Sequence, residues 1–293
     1  MTEHENVVSG DGKEVRCTYW SLDEYAEAAE RRSTQGELGW RKRLDGDTDW
    51  RGGTFNDALK LARFGWEDKL QTALDIAESA LDYTVREHEI DSFVSTYDYA
   101  GCEVDVARYL TGVPENMIDY PLQATSKLGR VITLCGSIAA SGAMDPEDLI
   151  RRGQVITAFA MALTRLGHAC ELWIDCTISA DWNRAAGATR GVTRVLVKGT
   201  NDTIDPARIL FAYAHPGSFR SLGFAVTHAY PEKFSSALGI GGIYGYPADP
   251  IEDLPEGTIY LPSVLTGKTK PDAHEELKDL LRQAGLLHED VDA

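Results

Sequence analysis

The hydrophobic pattern of the chain changes near residue 131. There the sequence reads VITLC, an uninterrupted apolar run that is typical of a strand covered on both faces. Two further apolar runs follow, ACELWIDCTIS at 169–179 and VTRVLVKGT at 192–200. The spacing of these three runs predicts three strands of one sheet.

A helix is predicted between the first two strands. Asp145 is a suitable N-cap and Pro146 occupies the first helical position. Apolar residues then recur at helical spacing until Gly167, which ends the helix. Strand, helix and strand form a parallel unit. The loop at 180–191 is too short for a second crossover helix, so we expect the third strand to run antiparallel, at the sheet edge.

The rest of this half continues the alternation of helix and strand. A helix is predicted after Pro206, a late strand in GTIYLPSVL, and an amphipathic helix in DAHEELKDLLRQAGLL. This alternation favours the α/β class, with an open, mostly parallel sheet and helices on both faces.

The first half contains shorter elements. We predict helices at 21–33, at about 67–81 and at 105–111, and another that begins at Thr54, where Asp57 completes a capping box. Short, irregular elements of this kind indicate a mixed α+β region that packs on the later sheet through its tryptophans.

These patterns predict four segments. Residues 1–14 are a polar, disordered lead-in, residues 15–127 the α+β N-terminal portion, residues 128–288 the α/β domain, and residues 289–293 a tail.

Charge narrows the classes of function. The chain carries 46 Asp and Glu against 29 Lys and Arg, a formal net charge of −17. Such a field repels nucleic acid and anionic membranes, so we expect no direct nucleic-acid binding. High solubility explains the charge most simply, and inhibition of a host nucleic-acid-binding protein by an acidic surface is an alternative.

The cysteines and the N-terminus indicate a cytosolic protein. The five cysteines are an odd number without CxxC spacing, and the first residues are polar and acidic, unlike a signal peptide. No apolar stretch approaches the roughly 20 residues that span a bilayer. We therefore expect no disulfide and no membrane association.

A small-residue loop follows the strand at 131–135 and reads CGSIAASG. In open α/β sheets, ligands bind beyond the carboxyl ends of the strands, which places this loop at the mouth of a crevice. We predict ligand contacts from Ser137 and Ser141, and from Thr200 and Thr203 after the third strand.

The order strand, helix, strand, antiparallel strand, helix resembles a von Willebrand factor A domain. In that family the first strand ends in Asp-x-Ser-x-Ser, which binds magnesium together with a later Thr and Asp. Here Cys135 occupies the Asp position, Ser137 matches the first Ser and Ala139 replaces the second, while Thr200 or Thr203 stands for the Thr and Asp249 is a poor match for the Asp. The resemblance implies a degenerate site, so we predict neither metal nor cofactor.

Catalytic residues are few. In FAYAHPGSFR, His215 could act as a base and Arg220 as an anion clamp. The alternative is structural, with His215 capping a helix and Arg220 facing solvent. Cys135 lies before a helix and is either a reactive thiolate or a buried, inert thiol.

A second resemblance covers the whole chain. The segments DWRGGTFNDALKLARFGW, EVDVARYLTGVPENM, DLIRRGQVITAFAMALTRLGHACELWI and RILFAYAHPGSFRSLGF resemble an uncharacterised protein family of tailed phages, chiefly those of actinobacteria. This resemblance implies synthesis in the cytoplasm of the infected bacterium, and leaves packaging into the virion and the oligomeric state open.

We predict a non-catalytic binding or assembly protein that engages a protein or small ligand at the strand-end crevice. The alternative is an enzyme acting on a nucleotide or nucleic-acid component through Ser137, Thr203, His215 and Arg220.

Overall fold

The structure of the protein is a computed structural model, which describes residues 7–8, 12–35, 48–87, 96–99, 103–119, 130–142, 144–185, 187–249, 254–263 and 272–287. It divides into two compact units. The main unit comprises residues 1–80 and 131–293, and the second comprises residues 81–130. The predicted tail at 289–293 lies outside the described residues.

Ten strands are described in chain order: β1 (Val7–Val8), β2 (Glu14–Tyr19), β3 (Thr96–Asp98), β4 (Glu103–Val104), β5 (Met117–Asp119), β6 (Val131–Ser137), β7 (Ala169–Ser179), β8 (Arg190–Lys198), β9 (Tyr246–Pro247) and β10 (Ile259–Leu261). The described α-helices are α1 (Leu22–Gln35), α2 (Thr48–Arg51), α3 (Phe55–Phe64), α4 (Leu70–Glu87), α5 (Val106–Leu110), α6 (Pro146–Arg165), α7 (Pro206–Ala214), α8 (Phe224–Thr227), α9 (Glu232–Leu238) and α10 (Ala273–Gln283). A π-helical turn at Ser218–Gly223 leads into α8.

The sheet of the main unit has the order β1-β2-β8-β7-β6-β10, and β9 pairs with β7. Three pairings along this path are parallel (β2 with β8, β7 with β6, and β6 with β10), while β1 with β2 and β7 with β8 are antiparallel. The mixed α/β class and the antiparallel direction of the third predicted strand, β8, are confirmed.

The predicted position of β8 at the sheet edge is wrong. Residues 14–19 of β2 pair in parallel with residues 190–195 of β8 along its outer side. The pairing is stable because Val15, Cys17 and Tyr19 alternate with more exposed residues and bury one face of β2. The boundary predicted at 127/128 thus separates β2 from a sheet to which it belongs. In the predicted lead-in, Val7 and Val8 also pair with this strand.

Local sequence signals account for the helix ends. The side chain of Asp145 accepts a hydrogen bond from the N–H of Glu147 at the start of α6, and Asp205 caps α7 in the same way through Arg208. Both hydrogen bonds of the predicted capping box are present: the Thr54 side chain accepts from the N–H of Asp57, and the Asp57 side chain accepts from the N–H of Thr54.

The core of the main unit lies between the sheet and its helices. Helix α6 packs against α7 and α10, and it approaches α7 so closely that a Cβ on Gly153 would lie 2.3 Å from the Cβ of Ala214. Cys17, Cys135, Cys170 and Cys176 are buried and without disulfides, whereas Cys102 lies outside the described residues. In the part of the chain that is described, no helix has the length and apolar character needed to cross a membrane.

The second unit contains a small antiparallel sheet of order β3-β5-β4 and the short helix α5. Its helix matches the one predicted at 105–111.

Candidate functional site

A cavity of about 560 Å³ lies at the carboxyl ends of β6 and β7. Ala140, Ser141 and Gly142 of the small-residue loop form part of its wall, and Ile178 of β7 contributes from the sheet. The loop continues along β7, because the N–H of Ile138 donates to the carbonyl of Asp175 at 2.8 Å. The small residues after β6 therefore border a crevice, at the position that the strand order predicts.

Aromatic side chains dominate the rest of the wall. They come from three separate segments: Trp50, Phe219, Phe224, Tyr244 and Tyr246. The rings of Phe224 and Tyr244 stack at 4.0 Å with an interplanar angle of 6°, and Trp50 lies 6.1 Å from Phe224. The three rings pack against one another as a cluster, which we call the aromatic wall.

Trp50 is fixed to the opposite side of the cavity. Its Nε1 donates to the carbonyl of Gly142 at 3.0 Å and so joins α2 to the strand-end loop. The sequence predicts that Trp50 and Trp66 pack on each other or on a neighbouring domain. Trp50 contacts Phe224, and Trp66 contacts His215 edge-to-face at 4.7 Å, so both tryptophans pack on the predicted domain at 128–288, which confirms the second of these alternatives.

Two arginines support the aromatic wall. Arg220 is fully buried, with its guanidinium 4.4 Å from the ring centre of Trp50, and it donates to the carbonyls of Trp50 at 2.7 Å and Met144 at 3.3 Å. The expectation that Arg220 faces solvent is wrong, because its two terminal nitrogens bridge two backbone segments inside the core. Arg51 lines the cavity, lies over the rings of Trp50 and Phe224, and donates to the carbonyl of Arg220.

A glycine-rich loop forms the outer wall. Its backbone turns through positive φ at Gly239, Gly241, Tyr244 and Gly245, with 55° at Tyr244. Two contacts keep Tyr244 in this conformation: its N–H donates to the carbonyl of Gly239 in the loop, and its hydroxyl lies 3.0 Å from Nε2 of His228, which precedes α9. The sequence identifies GIGGIYGYP as a turn, and the structure places that turn against the strand ends.

The four predicted ligand-binding residues do not lie together. Ser141 lines the cavity, and Ser137 is buried at the end of β6. Thr200 donates to Glu171 near the start of β7, and Thr203 is exposed in the same loop. Since β8 runs antiparallel to β7, the carboxyl end of β8 lies beside the amino end of β7, at the other end of the strands from Ser137. Glu171 pairs with Thr133, which lies four residues before Ser137 on β6, so Thr133 and Ser137 are about 13 Å apart along the strand.

The register places a carboxylate beside Ser137 that sequence reasoning did not assign to this site. Asp175 pairs with Ser137 and is fully buried, accepting hydrogen bonds from Thr177 at 2.7 Å and from Arg194 at 3.2 Å. Burial raises the pKa of Asp175. Its oxygens are thus engaged by neighbouring side chains of the sheet.

Cys135 lies near Asp175 and occupies the position of the Asp in the von Willebrand factor A motif. Burial, with the nearby Asp175 carboxylate, raises the pKa of its thiol to about 12, so it is protonated at neutral pH. The thiolate interpretation is therefore wrong. Asp249, the last position of the metal motif, accepts from the N–H of Ser263 at 2.9 Å and from the Tyr260 hydroxyl at 3.2 Å. In the described ranges, no group of three or more His, Cys, Asp and Glu side chains is arranged to hold a metal ion.

His215 is a structural residue at the end of α7. It is 7% exposed, stacks on Phe211 at 5.4 Å, and its Nδ1 accepts from the N–H of Gly217 at 3.0 Å. Burial lowers its pKa to about 4, so the imidazole is neutral at pH 7. The structural alternative, in which His215 caps the end of the helix, matches this geometry in part. The ring was expected to meet the last carbonyls of the helix, whereas its Nδ1 accepts from the N–H of Gly217.

Residues 2–288 match a domain of unknown function, DUF7192. The chain belongs to this family. Among curated proteins and solved structures we found no significant match. Membership covers nearly the whole chain, in agreement with the predicted relation to an uncharacterised family.

The residues that sequence reasoning missed are those of the aromatic wall. Trp50 was assigned to packing, and Tyr244 lies in a loop interpreted only as a turn. Aromatic residues within glycine-rich or loop segments are a usable signal, but the sequence does not reveal which of these segments meet.

Proposed function

We propose that this chain is a phage-encoded binding protein without catalytic activity, which holds a ligand or a partner's side chain in the strand-end cavity. The observation that carries the proposal is the cavity itself. Its volume of about 560 Å³ falls within the range of small-molecule sites, and its lining combines five aromatic side chains with polar residues such as Arg51 and Ser141.

The construction of the wall supports binding. The aromatic wall is fixed by the bond from Trp50 to Gly142 and by the carbonyl contacts of Arg220. A surface held in this way loses little conformational freedom when a ligand arrives, which favours affinity.

The arrangement of the catalytic candidates favours binding over the enzyme alternative. Thr203 lies at the opposite edge of the sheet from Ser137, and His215 is a buried neutral ring engaged with Gly217. General acid–base catalysis requires the groups to reach one substrate atom, which this spacing does not allow.

The element order supports a relation to von Willebrand factor A domains. Strand β6, helix α6, strand β7, antiparallel strand β8 and helix α7 follow one another as in that family, and β2 adds a strand beyond β8. We propose this relation together with the phage origin. Both support a role in binding or assembly in the cytoplasm of the infected host.

A cavity-filling substitution tests the function. A Cβ on Gly142 would lie 3.9 Å from the Trp50 ring, an ordinary contact, and the backbone there has no positive φ, so Gly142→Leu is chosen to place apolar volume in the cavity. Gln71→Leu, on the exposed face of α4, is the matched control. Each protein is purified from infected cells and analysed by native mass spectrometry and affinity capture.

Wild-type protein and Gln71→Leu are expected to retain the same bound molecule, small ligand or protein, and Gly142→Leu to lose it, while the three proteins freed of that molecule keep the same melting temperature. Identical retention by all three proteins, or no retained molecule in any of them, would contradict binding at this cavity.

A further inference from the structure

Large apolar side chains border the strand-end cavity and remain exposed. They are Trp182 at 68%, Ile243 at 65% and Tyr246 at 40% exposure, and we call them the rim. Ile243 and Tyr246 line the cavity. Trp182 lies three residues beyond Ser179, which pairs with Tyr246 across β7 and β9. It is therefore at most about 11 Å along the chain from the strand end that meets the cavity lining.

The turn that carries Trp182 is held against the cavity lining. The Asp181 carboxylate accepts from two backbone N–H groups of this turn, at 3.1 and 3.3 Å. Nε of Arg184 donates to the carbonyl of Pro247, a lining residue, at 2.8 Å. A tryptophan on a turn fixed in this way is presented with little loss of backbone freedom, and Trp and Tyr side chains supply much of the energy of protein interfaces.

The exposed apolar surface extends beyond the cavity. Trp182 is not among the described residues that line the cavity, so a small molecule enclosed there leaves this side chain uncovered. Exposed apolar side chains grouped beside a cavity mark protein interaction sites. A molecule that covers the cavity and the rim together is a protein segment.

Charges near the rim indicate the chemistry of that segment. Asp49 and Asp249 are exposed and Asp181 is half-buried, while Arg184 is an exposed cation. The salt bridges of the described residues involve none of these three carboxylates. They attract a basic partner, whereas a second copy of this chain, with its own charge of −17, is repelled. Of the described lining residues Arg51 is the charged one, so the group that enters the cavity is not a cation.

The size of the cavity suits an anchoring side chain. Its volume of about 560 Å³ lies within the range of pockets that enclose drug-sized ligands. Building on the proposed function, we infer that the cavity and its rim dock a basic protein segment, which inserts an apolar side chain into the cavity and packs its chain against Trp182.

Three labelled synthetic peptides of equal length serve as probes, and their binding is measured by fluorescence anisotropy. The first combines Lys with Leu, the second has Ser in place of Leu, and the third has Glu in place of Lys. The Lys/Leu peptide should bind best and the other two at least about tenfold more weakly, because one lacks the anchor and the other has the wrong charge. High salt should weaken the Lys/Leu peptide, since the Debye length falls from about 10 Å at 0.1 M to about 3 Å at 1 M.

A pair of tryptophan variants tests the location. Trp182→Ser is compared with Trp20→Ser, because Trp20 is similarly exposed, at 65%. Trp20 contacts Trp173, which lies six residues before Ser179 on β7, about 20 Å along the strand. Trp182→Ser should weaken the Lys/Leu peptide about tenfold and Trp20→Ser less than about twofold, with unchanged far-UV circular dichroism in both. Gly142→Leu, which fills the cavity, should also weaken this peptide.

The outcomes separate this inference from the function on which it rests. Equal binding of the three peptides, or equal effects of Trp182→Ser and Trp20→Ser, would overturn it, and binding that persists in Gly142→Leu would overturn the insertion of a side chain. Light scattering of the protein alone should give a monomer; a dimer abolished by Trp182→Ser would assign the rim to a second copy instead. If no peptide binds, the basic partner is rejected, while loss of the molecule retained from infected cells in Gly142→Leu would still support a binding cavity.

Discussion

Replacing Arg220 by Met should destabilise the main unit strongly, because this guanidinium holds the cavity wall. Arg220 is fully buried and donates to the carbonyls of Trp50 and Met144. Met retains much of the apolar volume of the side chain but none of its donors, so the carbonyls lose a charged partner inside the core.

The magnitude follows from these contacts. A hydrogen bond to a charged group contributes about 1.5–3 kcal/mol, and a desolvated cation over an aromatic ring about 2 kcal/mol. The bond of 3.3 Å to Met144 is the weaker of the two, and the contacts are not additive, so we expect a loss of about 3–5 kcal/mol. This is a large part of the 5–15 kcal/mol that typically stabilises a folded protein.

The assay is equilibrium unfolding in urea, followed by far-UV circular dichroism. The midpoint should fall while the slope stays constant, and Arg220→Lys should lie between Met and wild type because it keeps the charge but not the planar fork. Arg63→Met is the matched control: it removes an arginine that pairs with Glu30 at the surface, and should cost at most about 1 kcal/mol. A loss below about 1 kcal/mol for Arg220→Met would refute the structural role of this guanidinium.

Three further substitutions test the packing, a buried ring and a helix cap. Gly153→Ala should destabilise the protein by about 1–3 kcal/mol in urea unfolding, although alanine normally favours a helix, because the new Cβ meets Ala214; a gain in stability would contradict the close contact of α6 with α7. For His215, the folded pKa of about 4 lies below its ordinary value of 6.5, so the unfolded chain binds the proton first and stability falls as the pH drops from about 6.5 to 4, by up to about 3 kcal/mol. His215→Asn, whose amide oxygen can accept from Gly217, should lose that part of the pH dependence in unfolding measured across this range, and an unchanged slope would show that His215 titrates normally. Thr54→Ala removes the cap of α3 and should lower the free energy of unfolding by about 1 kcal/mol, a change measurable by urea titration and absent if water replaces the cap.

Sequence reasoning identified the elements whose signals are local. The apolar run at 131–135, the cap at Asp145 and the capping box at Thr54 each require only neighbouring residues, and all three are present in the structure. The short loop after β7 likewise sufficed to predict that β8 is antiparallel.

The errors arose where the outcome depends on distant partners. We predicted β8 at the sheet edge because we did not expect β2 to pair with it. Strand β2 lies some 170 residues earlier in the chain, and its alternating pattern predicts a strand but not the strand with which it pairs. The grouping of Thr200 and Thr203 with Ser137 is a different kind of error: the antiparallel direction predicted for β8 already implies that these threonines lie at the opposite ends of the strands from Ser137.

The sequence by itself determined the local structure and the general location of the site, because capping, periodicity and strand-end loops depend on residues close together in the chain. Tertiary structure alone decided what that site is made of. Trp50, Phe224 and Tyr244 belong to three segments whose meeting depends on how the helices and loops pack over the sheet. The burial of Arg220 was decided in the same way, since its carbonyl partners, Trp50 and Met144, are about 90 residues apart in the chain and only the folded chain brings them within hydrogen-bonding distance of one guanidinium.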